Sequence, residues 1–284
     1  VKLQTGKEML DRARAGGYGV GAFSAHNAET IQAILAAAEE EQAPVMIQIG
    51  QRVIRSIGME PMVRMIESFG RKSEATVAIH LDHGNSFEQA IEAIQLGFQT
   101  VMYDGSHHPL EINIANTRKV SEAAHAVGIS VEGELGRIGG VEDDISVDEK
   151  DAMVTDVNEA IRYVEETGID SLAISIGTAH GLYKGEPKLR FDRLAEIASV
   201  IPLPLVLHGG SGVPDEAIRK AISLGIAKIN VDTELRQAFA LKSQEIWRND
   251  PDEYHLAIVF GAAKEAMKEK VKEKIRLFGS GGRG

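Results

Sequence analysis

The sequence predicts an α/β fold: a (β/α)8 TIM barrel, one domain over residues 1–284, with an extra helix near the C-terminus. Three observations carry this. Eight short apolar runs rich in β-branched residues read as buried strands. Amphipathic stretches separate them one by one, and strict alternation of strand and helix specifies a parallel sheet. Four runs also stop on polar groups that can hold a metal or a phosphate: 77–83 (VAIHLDH), 172–181 (LAISIGTAHG), 203–212 (LPLVLHGGSG) and 227–233 (AKINVDT). Polar groups gathered at the ends of separate strands are how a parallel barrel builds its site.

In chain order the strand runs are 18–23, 44–49, 76–81, 100–103, 129–134, 171–176, 203–208 and 227–231. The helical stretches between them are 28–41, 59–70, 87–96, 110–127, 158–167, 191–200 and 214–224. Gly97, Gly128, Gly168 and Gly225 stand just before strands, where helix C-caps fall. Residues 136–155 form the longest irregular stretch, acidic and glycine-bearing, and a long loop in a compact domain is usually functional. After the eighth strand, 234–248 and 262–278 read as helices, and 279–284 is expected to fray. The last helix is a candidate for subunit contact.

Composition narrows the function. The 284 residues match the roughly 250 of a typical α/β barrel. A net charge of −11 argues against nucleic acid or an anionic membrane as partner. With no cysteine there are no disulfides and no thiolate metal sites. No apolar stretch approaches the ~20 residues of a membrane span, and VKLQTGKEML lacks a signal-peptide core. A cytoplasmic location is expected.

Three strand ends supply a histidine: His83, His180 and His208. Three imidazoles leave one metal position open, the pattern of a catalytic zinc site, with cobalt, iron or manganese as possible substitutes. Asp82 adjoins His83 and reads as an acid/base group for a substrate oxygen; a carboxylate that merely orients a histidine is the alternative. Glu132 and Glu134 alternate on the fifth strand and point into the barrel together. Glu134 is the better metal or substrate contact, and Asp104, ending the fourth strand, is an alternative metal ligand. His80 is expected to point away from Asp82. In the acidic loop Glu142, Asp143 or Asp144 is a candidate base on a carbon acid if the loop closes.

Gly209, Gly210, Ser211 and Gly212 follow strand seven, while Asn230, Val231, Asp232 and Thr233 follow strand eight and open a helix. Barrels often bind phosphate there, with backbone N–H groups and a helix N-terminus facing the anion. Metal and phosphate sites side by side imply a phosphorylated carbonyl substrate and an aldolase that uses metal in place of a Schiff-base lysine. Lys228, the one lysine inside an apolar strand, keeps the lysine route as second choice. A non-catalytic sugar-phosphate-binding barrel is the rival reading.

These residues carry a resemblance. HLDHG at 80–84, EGELGRIGG at 132–140, GTAHG at 177–181, LHGGSG at 207–212 and NVDTE at 230–234 resemble the class II, zinc-dependent ketose-bisphosphate aldolases along nearly the whole chain. The resemblance implies that His83, His180 and His208 bind zinc, with Glu134 and Asp104 at an alternative metal position. It implies Asp82 as the acid/base at the carbon-4 oxygen and Glu142 as a mobile-loop carboxylate handling the carbon-acid proton. Gly181, Lys184, Gly209, Gly210, Ser211, Asn230, Val231, Asp232 and Thr233 would hold dihydroxyacetone phosphate, with a monovalent cation nearby. The implied substrate is fructose or tagatose 1,6-bisphosphate, and the implied assembly a homodimer or homotetramer.

Departures fall on the aldehyde side. The family's Tyr-Asp-Pro-Arg stretch, whose arginine reaches a neighbouring subunit's distal phosphate, is here Tyr254-His255-Leu256-Ala257. A usual serine after strand two is replaced within Gly50-Gln51-Arg52, and a usual asparagine after strand one is Ser24. Arg52 is a candidate fork for a different distal anion, such as the sulfonate of sulfofructose 1-phosphate.

Overall fold

The computed structural model describes residues 1–142, 145–148, 152–181, 183, 185 and 187–284, with the side chains of 141–147 outside that description. A short strand β1 (Lys2–Leu3) and helix α1 (Gly6–Gly16) precede the barrel. The barrel begins β2 (Val20–Ser24), β3 (Val45–Ile49), β4 (Thr76–Gly84), β5 (Thr100–Tyr103) and β6 (Ser130–Leu135). A hairpin, β7 (Gly139–Glu142) and β8 (Ile145–Val147), then intervenes. Barrel strand β9 (Ser171–Ile174) is followed by the short β10 (Ala179–His180), and β11 (Leu205–Leu207) and β12 (Ile226–Val231) complete the set. Every barrel pairing is parallel, and the β2–β12 and β4–β5 pairings close the ring.

The helices are α2 (Ala28–Glu40), α3 (Gln51–Ser56), α4 (Met59–Gly70), α5 (Phe87–Leu96), α6 (Leu110–His125), α7 (Val157–Thr167), α8 (Phe191–Val200), α9 (Asp215–Ser223), α10 (Thr233–Asn249) and α11 (Leu256–Phe278). Local chemistry sets their ends. Asn27 and Thr30 form a reciprocal capping box on α2, Ser86 and Asp156 cap α5 and α7, and Gly97 and Gly168 close those two helices. α11 is the extra helix. It packs on α2 and α10 and is pinned by Lys268 and Lys272 to Glu40 and by Arg276 to Glu41. The tail beyond it, expected to fray, is tied back to the residues that end α2. Gly282 and Gly284 donate backbone N–H to the carbonyls of Glu41 and Gln42, and Ser280 is buried.

The strand period of two divides the core. Odd-numbered residues of β3 and β4, such as Val45, Ile47, Val77 and Ile79, pack outward against Ile31, Ile34 and Ile66 of the helices. Inward residues at the closed end, Val20, Ala22, Met46 and Ala78, meet Met9, Leu10 and Ala13 of α1, which plugs the barrel. Higher in the barrel the inward residues turn polar: Gln48, His80, Asp82, Glu132, Glu134, Lys228 and Asn230 are all buried. The apolar half holds the ring together, and the polar half faces the C-terminal mouth.

The stretch 136–155 is not simply irregular. Its hairpin joins β10 through the parallel β7–β10 pairing, giving a second small sheet that carries His180. Among the described residues no helix is long and apolar enough to cross a membrane.

Candidate active site

Alternation along β4 would send Asp82 inward and His83 outward. A bulge prevents this. The β4–β5 register shifts between Leu81 and Gly84, and His83 adopts φ +48, a left-handed conformation that costs a non-glycine residue about 1–2 kcal/mol. Gln51, at the start of α3, donates Nε2 to the His83 carbonyl at 2.9 Å and is held in turn by Gln89. The distortion places Asp82 and His83 together in the buried mouth.

His208 arrives directly after β11, and His180 arrives on β10, wedged between two glycines. A Cβ on Gly140 would lie 2.1 Å from the His180 carbonyl oxygen, and one on Gly209 would lie 2.3 Å from that of Ala179. Only glycine lets backbone approach this closely. The ring centroids stand 4.8 Å (His83–His208), 5.3 Å (His83–His180) and 5.8 Å (His180–His208) apart. The three histidines offer ligand atoms within 4.8 Å of one another, and so does a second group, His83, Asp104 and Glu134.

The hydrogen bonds test whether these groups suit a cation. His83 Nδ1 lies 2.7 Å from Asp104 Oδ2, and Asp104 Oδ1 accepts from Ser106. His208 Nε2 lies 2.9 Å from Glu132 Oε1. Ionised carboxylates only accept, so these nitrogens carry protons, and the ring atoms left to face a metal are His83 Nε2 and His208 Nδ1. Those two atoms face each other at 3.1 Å. Glu134 Oε2 is buried beside them with no hydrogen-bond partner among the described residues, 3.7 Å from His208 Nδ1. A divalent cation would satisfy both of these nitrogens and the orphaned carboxylate oxygen at once.

The buried carboxylates favour positive charge at this site. Burial pushes the Glu134 carboxyl well above the usual range, and the charge of Asp104 pushes it further. Burial works against a charged His83, yet the carboxylates of Asp82, Asp104 and Glu134 outweigh it and hold that imidazole well above its ordinary value. Asp104 is also opposed by burial, but its hydrogen bond and charge contact with His83 pull its carboxyl far below the usual range.

Asp82 is fixed at both oxygens. Oδ1 accepts from Asn230 Nδ2 at 3.3 Å and Oδ2 from Gln48 Nε2 at 3.2 Å, and Gln48 also donates to Ser24 Oγ. Across the mouth, Gly181, Ser211 and Thr233 line a cavity of about 340 Å³ together with Tyr183. Tyr183 OH accepts from the Ala179 N–H and donates to the Gly209 carbonyl, tying the glycine loop to the His180 strand. Asp232 occupies the N-cap position of α10 without capping it; its carboxylate binds His26 at 2.7 Å and Arg236 at 2.9 Å. The Val231 side chain is buried in the outer core, so only its backbone can face the mouth. Gly210 and Asn230 are buried beside these groups.

Arg52 lies exposed on α3 at this end of the barrel. Lys184 and the side chain of Glu142 lie outside the described residues, although Glu142 itself ends β7. The expectation for His80 is wrong: residues two apart share a face, and His80 points into the barrel, 3.3 Å from Lys228 Nζ. Lys228 is bound to Glu132 Oε2 at 2.7 Å, so its ammonium serves as a counter-ion and not as an offered nucleophile. Sequence reasoning missed Gln48, Gln51 and Tyr183; a lone glutamine inside the apolar run PVMIQI was the available signal for the first.

A closed parallel barrel whose mouth gathers three histidines, buried carboxylates and a glycine-lined cavity is the architecture of a TIM-barrel enzyme. Comparison with known proteins sharpens this. The family model for class-II fructose-bisphosphate aldolase matches residues 4–283, and the chain belongs to that family. It is 57% identical to a sulfofructosephosphate aldolase of Alkalicoccus urumqiensis over 276 residues, 97% of this chain and 96% of that one. It is 46% identical to a fructose-bisphosphate aldolase of Thermus caldophilus, with 99% of each covered. Among solved structures, the YdjI aldolase of Escherichia coli K12 superposes with a TM-score of 0.88 at 36% identity, covering 99% of both chains.

Proposed function

We propose that the protein is a zinc-dependent aldolase that reversibly cleaves a ketose 1-phosphate into dihydroxyacetone phosphate and an aldehyde. The observation that carries this is the convergence of His83 Nε2 and His208 Nδ1, 3.1 Å apart, beside a doubly held Asp82. His83, His180 and His208 would hold the zinc, with Glu134 and Asp104 as the alternative position. Bound there, zinc supplies Lewis-acid polarisation of the substrate oxygens. Asp82 takes the proton of the carbon-4 hydroxyl as the bond between carbons 3 and 4 breaks, and the aldehyde leaves. The electron pair stays with carbon 3, and Glu142 delivers the proton that completes dihydroxyacetone phosphate. Gly181, Lys184, Gly209, Gly210, Ser211 and the run Asn230, Val231, Asp232 and Thr233 hold the 1-phosphate, with the α10 N-terminus facing the anion.

For the aldehyde half we favour a sulfonate: sulfofructose 1-phosphate yielding sulfolactaldehyde. Two facts support it. The 57% relative carries that activity in its name, against 46% for the fructose-bisphosphate aldolase of Thermus caldophilus. The stretch Tyr254, His255, Leu256 and Ala257 offers no arginine for a distal phosphate, while Arg52 lies exposed on α3, the helix that follows β3. Fructose or tagatose 1,6-bisphosphate is the second reading. Exposed Leu241, Tyr254, Leu256 and Ile258 on α10 and α11 and the segment between them support a homodimer or homotetramer. Specific constants for sulfofructose 1-phosphate, fructose bisphosphate and tagatose bisphosphate on one preparation test the substrate. The sulfonated ketose should lead; a bisphosphate with the highest kcat/KM overturns the sulfonate reading.

A further inference from the structure

The barrel interior buries a lysine that the proposed chemistry does not use. Lys228, Glu132, His80 and His208 are each no more than 1% exposed. Lys228 Nζ donates to Glu132 Oε2 at 2.7 Å and to His80 Nε2 at 3.3 Å, and the other oxygen of Glu132 lies 2.9 Å from His208 Nε2. We infer that Lys228 and Glu132 are positioning residues that lock His208 in the tautomer able to ligate a metal through Nδ1.

The logic is one of donors and acceptors. Lys228 Nζ, 2.7 Å from Oε2, pairs with Glu132 as ammonium with carboxylate. A carboxylate only accepts, so His208 must carry its proton on Nε2, leaving the Nδ1 lone pair aimed at His83 Nε2, 3.1 Å away. An outer carboxylate of this kind also raises ligand basicity and fixes ring orientation. Stability alone does not explain the pair. Burying two charges costs about as much as their attraction returns, and apolar residues of similar volume commonly do as well. The inference rests on the metal centre proposed above.

The test uses the whole protein and reads zinc affinity by competition with a chromophoric chelator. The double variant Glu132→Gln/Lys228→Met keeps volume and strands no charge, but its amide can present either an oxygen or an NH2 to His208. Zinc affinity should fall about 10–100-fold, while the metal-free protein keeps its melting temperature within a few degrees. A folded double variant that binds zinc within twofold of wild type overturns the inference. If the double variant does not fold, Glu132→Asp keeps the charge but withdraws it from His208, and an unchanged zinc affinity there overturns it equally. A wild-type protein that binds no zinc would sink the metal centre instead. The relay is then judged by nitrogen-15 NMR of metal-free wild type: His208 protonated at Nε2 supports it, and protonation at Nδ1 overturns it.

Discussion

Replacing Gly209 by alanine asks whether the phosphate loop and the metal site are one mechanical unit. Gly209 holds φ +64, and a Cβ there would sit 2.3 Å from the Ala179 carbonyl oxygen, inside the 3.0 Å that real Cβ contacts respect. Gly17, which closes α1, holds the same φ of +64 with nothing within 4 Å of its Cβ. Gly17→Ala therefore measures the conformational cost alone, about 1–2 kcal/mol. Gly209→Ala adds an overpacking cost of about 1–3 kcal/mol, because a backbone carbonyl cannot rotate aside as a side chain can. At about 2 °C per kcal/mol for a chain of this size, Gly17→Ala should lower Tm by about 2–4 °C and Gly209→Ala by about twice as much. Only Gly209→Ala should also weaken zinc, since Ala179 precedes His180 on β10. Scanning calorimetry at one scan rate, with a zinc competition titration, provides both numbers. Equal Tm losses and equal zinc affinities in the two variants would refute the coupling.

Asp82→Asn should lower kcat by about 10²–10⁴-fold while one zinc per chain is retained; near-normal turnover would remove Asp82 from the proton step. Arg52→Ala should raise KM in the condensation direction for an anionic aldehyde about tenfold, as loss of a charge-assisted contact of about 1.4 kcal/mol or more does, with KM for dihydroxyacetone phosphate unchanged. An unchanged aldehyde KM returns Arg52 to an ordinary surface residue. Buried Lys274 binds Glu234 at 2.7 Å, and Glu234 accepts from the Gly212 N–H. Lys274→Met leaves that carboxylate uncompensated beside the glycine loop, so KM for the ketose 1-phosphate should rise several-fold at unaltered zinc affinity; equal KM values contradict this role.

The barrel was readable because buried β-branched runs of four to six residues and capped amphipathic helices announce themselves locally. The expected 100–103 run coincides with β5, and the expected helices 59–70, 87–96 and 191–200 coincide with α4, α5 and α8. What was not readable depended on distant partners. β7 is Gly-Gly-Val-Glu, with no apolar alternation to mark a strand, and forms against β10 across the mouth. α3 spans six residues, too few to display a helical period. The site residues were found through motifs at strand ends, but the bulge that turns His83 beside Asp82 leaves no compositional trace. Lys228 stood out in the sequence as the odd lysine in an apolar strand. Its meaning came only from Glu132, which lies on a different strand.

The most direct measurement is aldol cleavage of the sulfonated ketose 1-phosphate and of fructose bisphosphate, followed as dihydroxyacetone phosphate release before chelation, after it, and after zinc is restored. The account expects release by the native protein, loss on chelation and recovery at one zinc per chain. Undiminished release by the metal-free protein, or none from either substrate with zinc bound at one per chain, would contradict it.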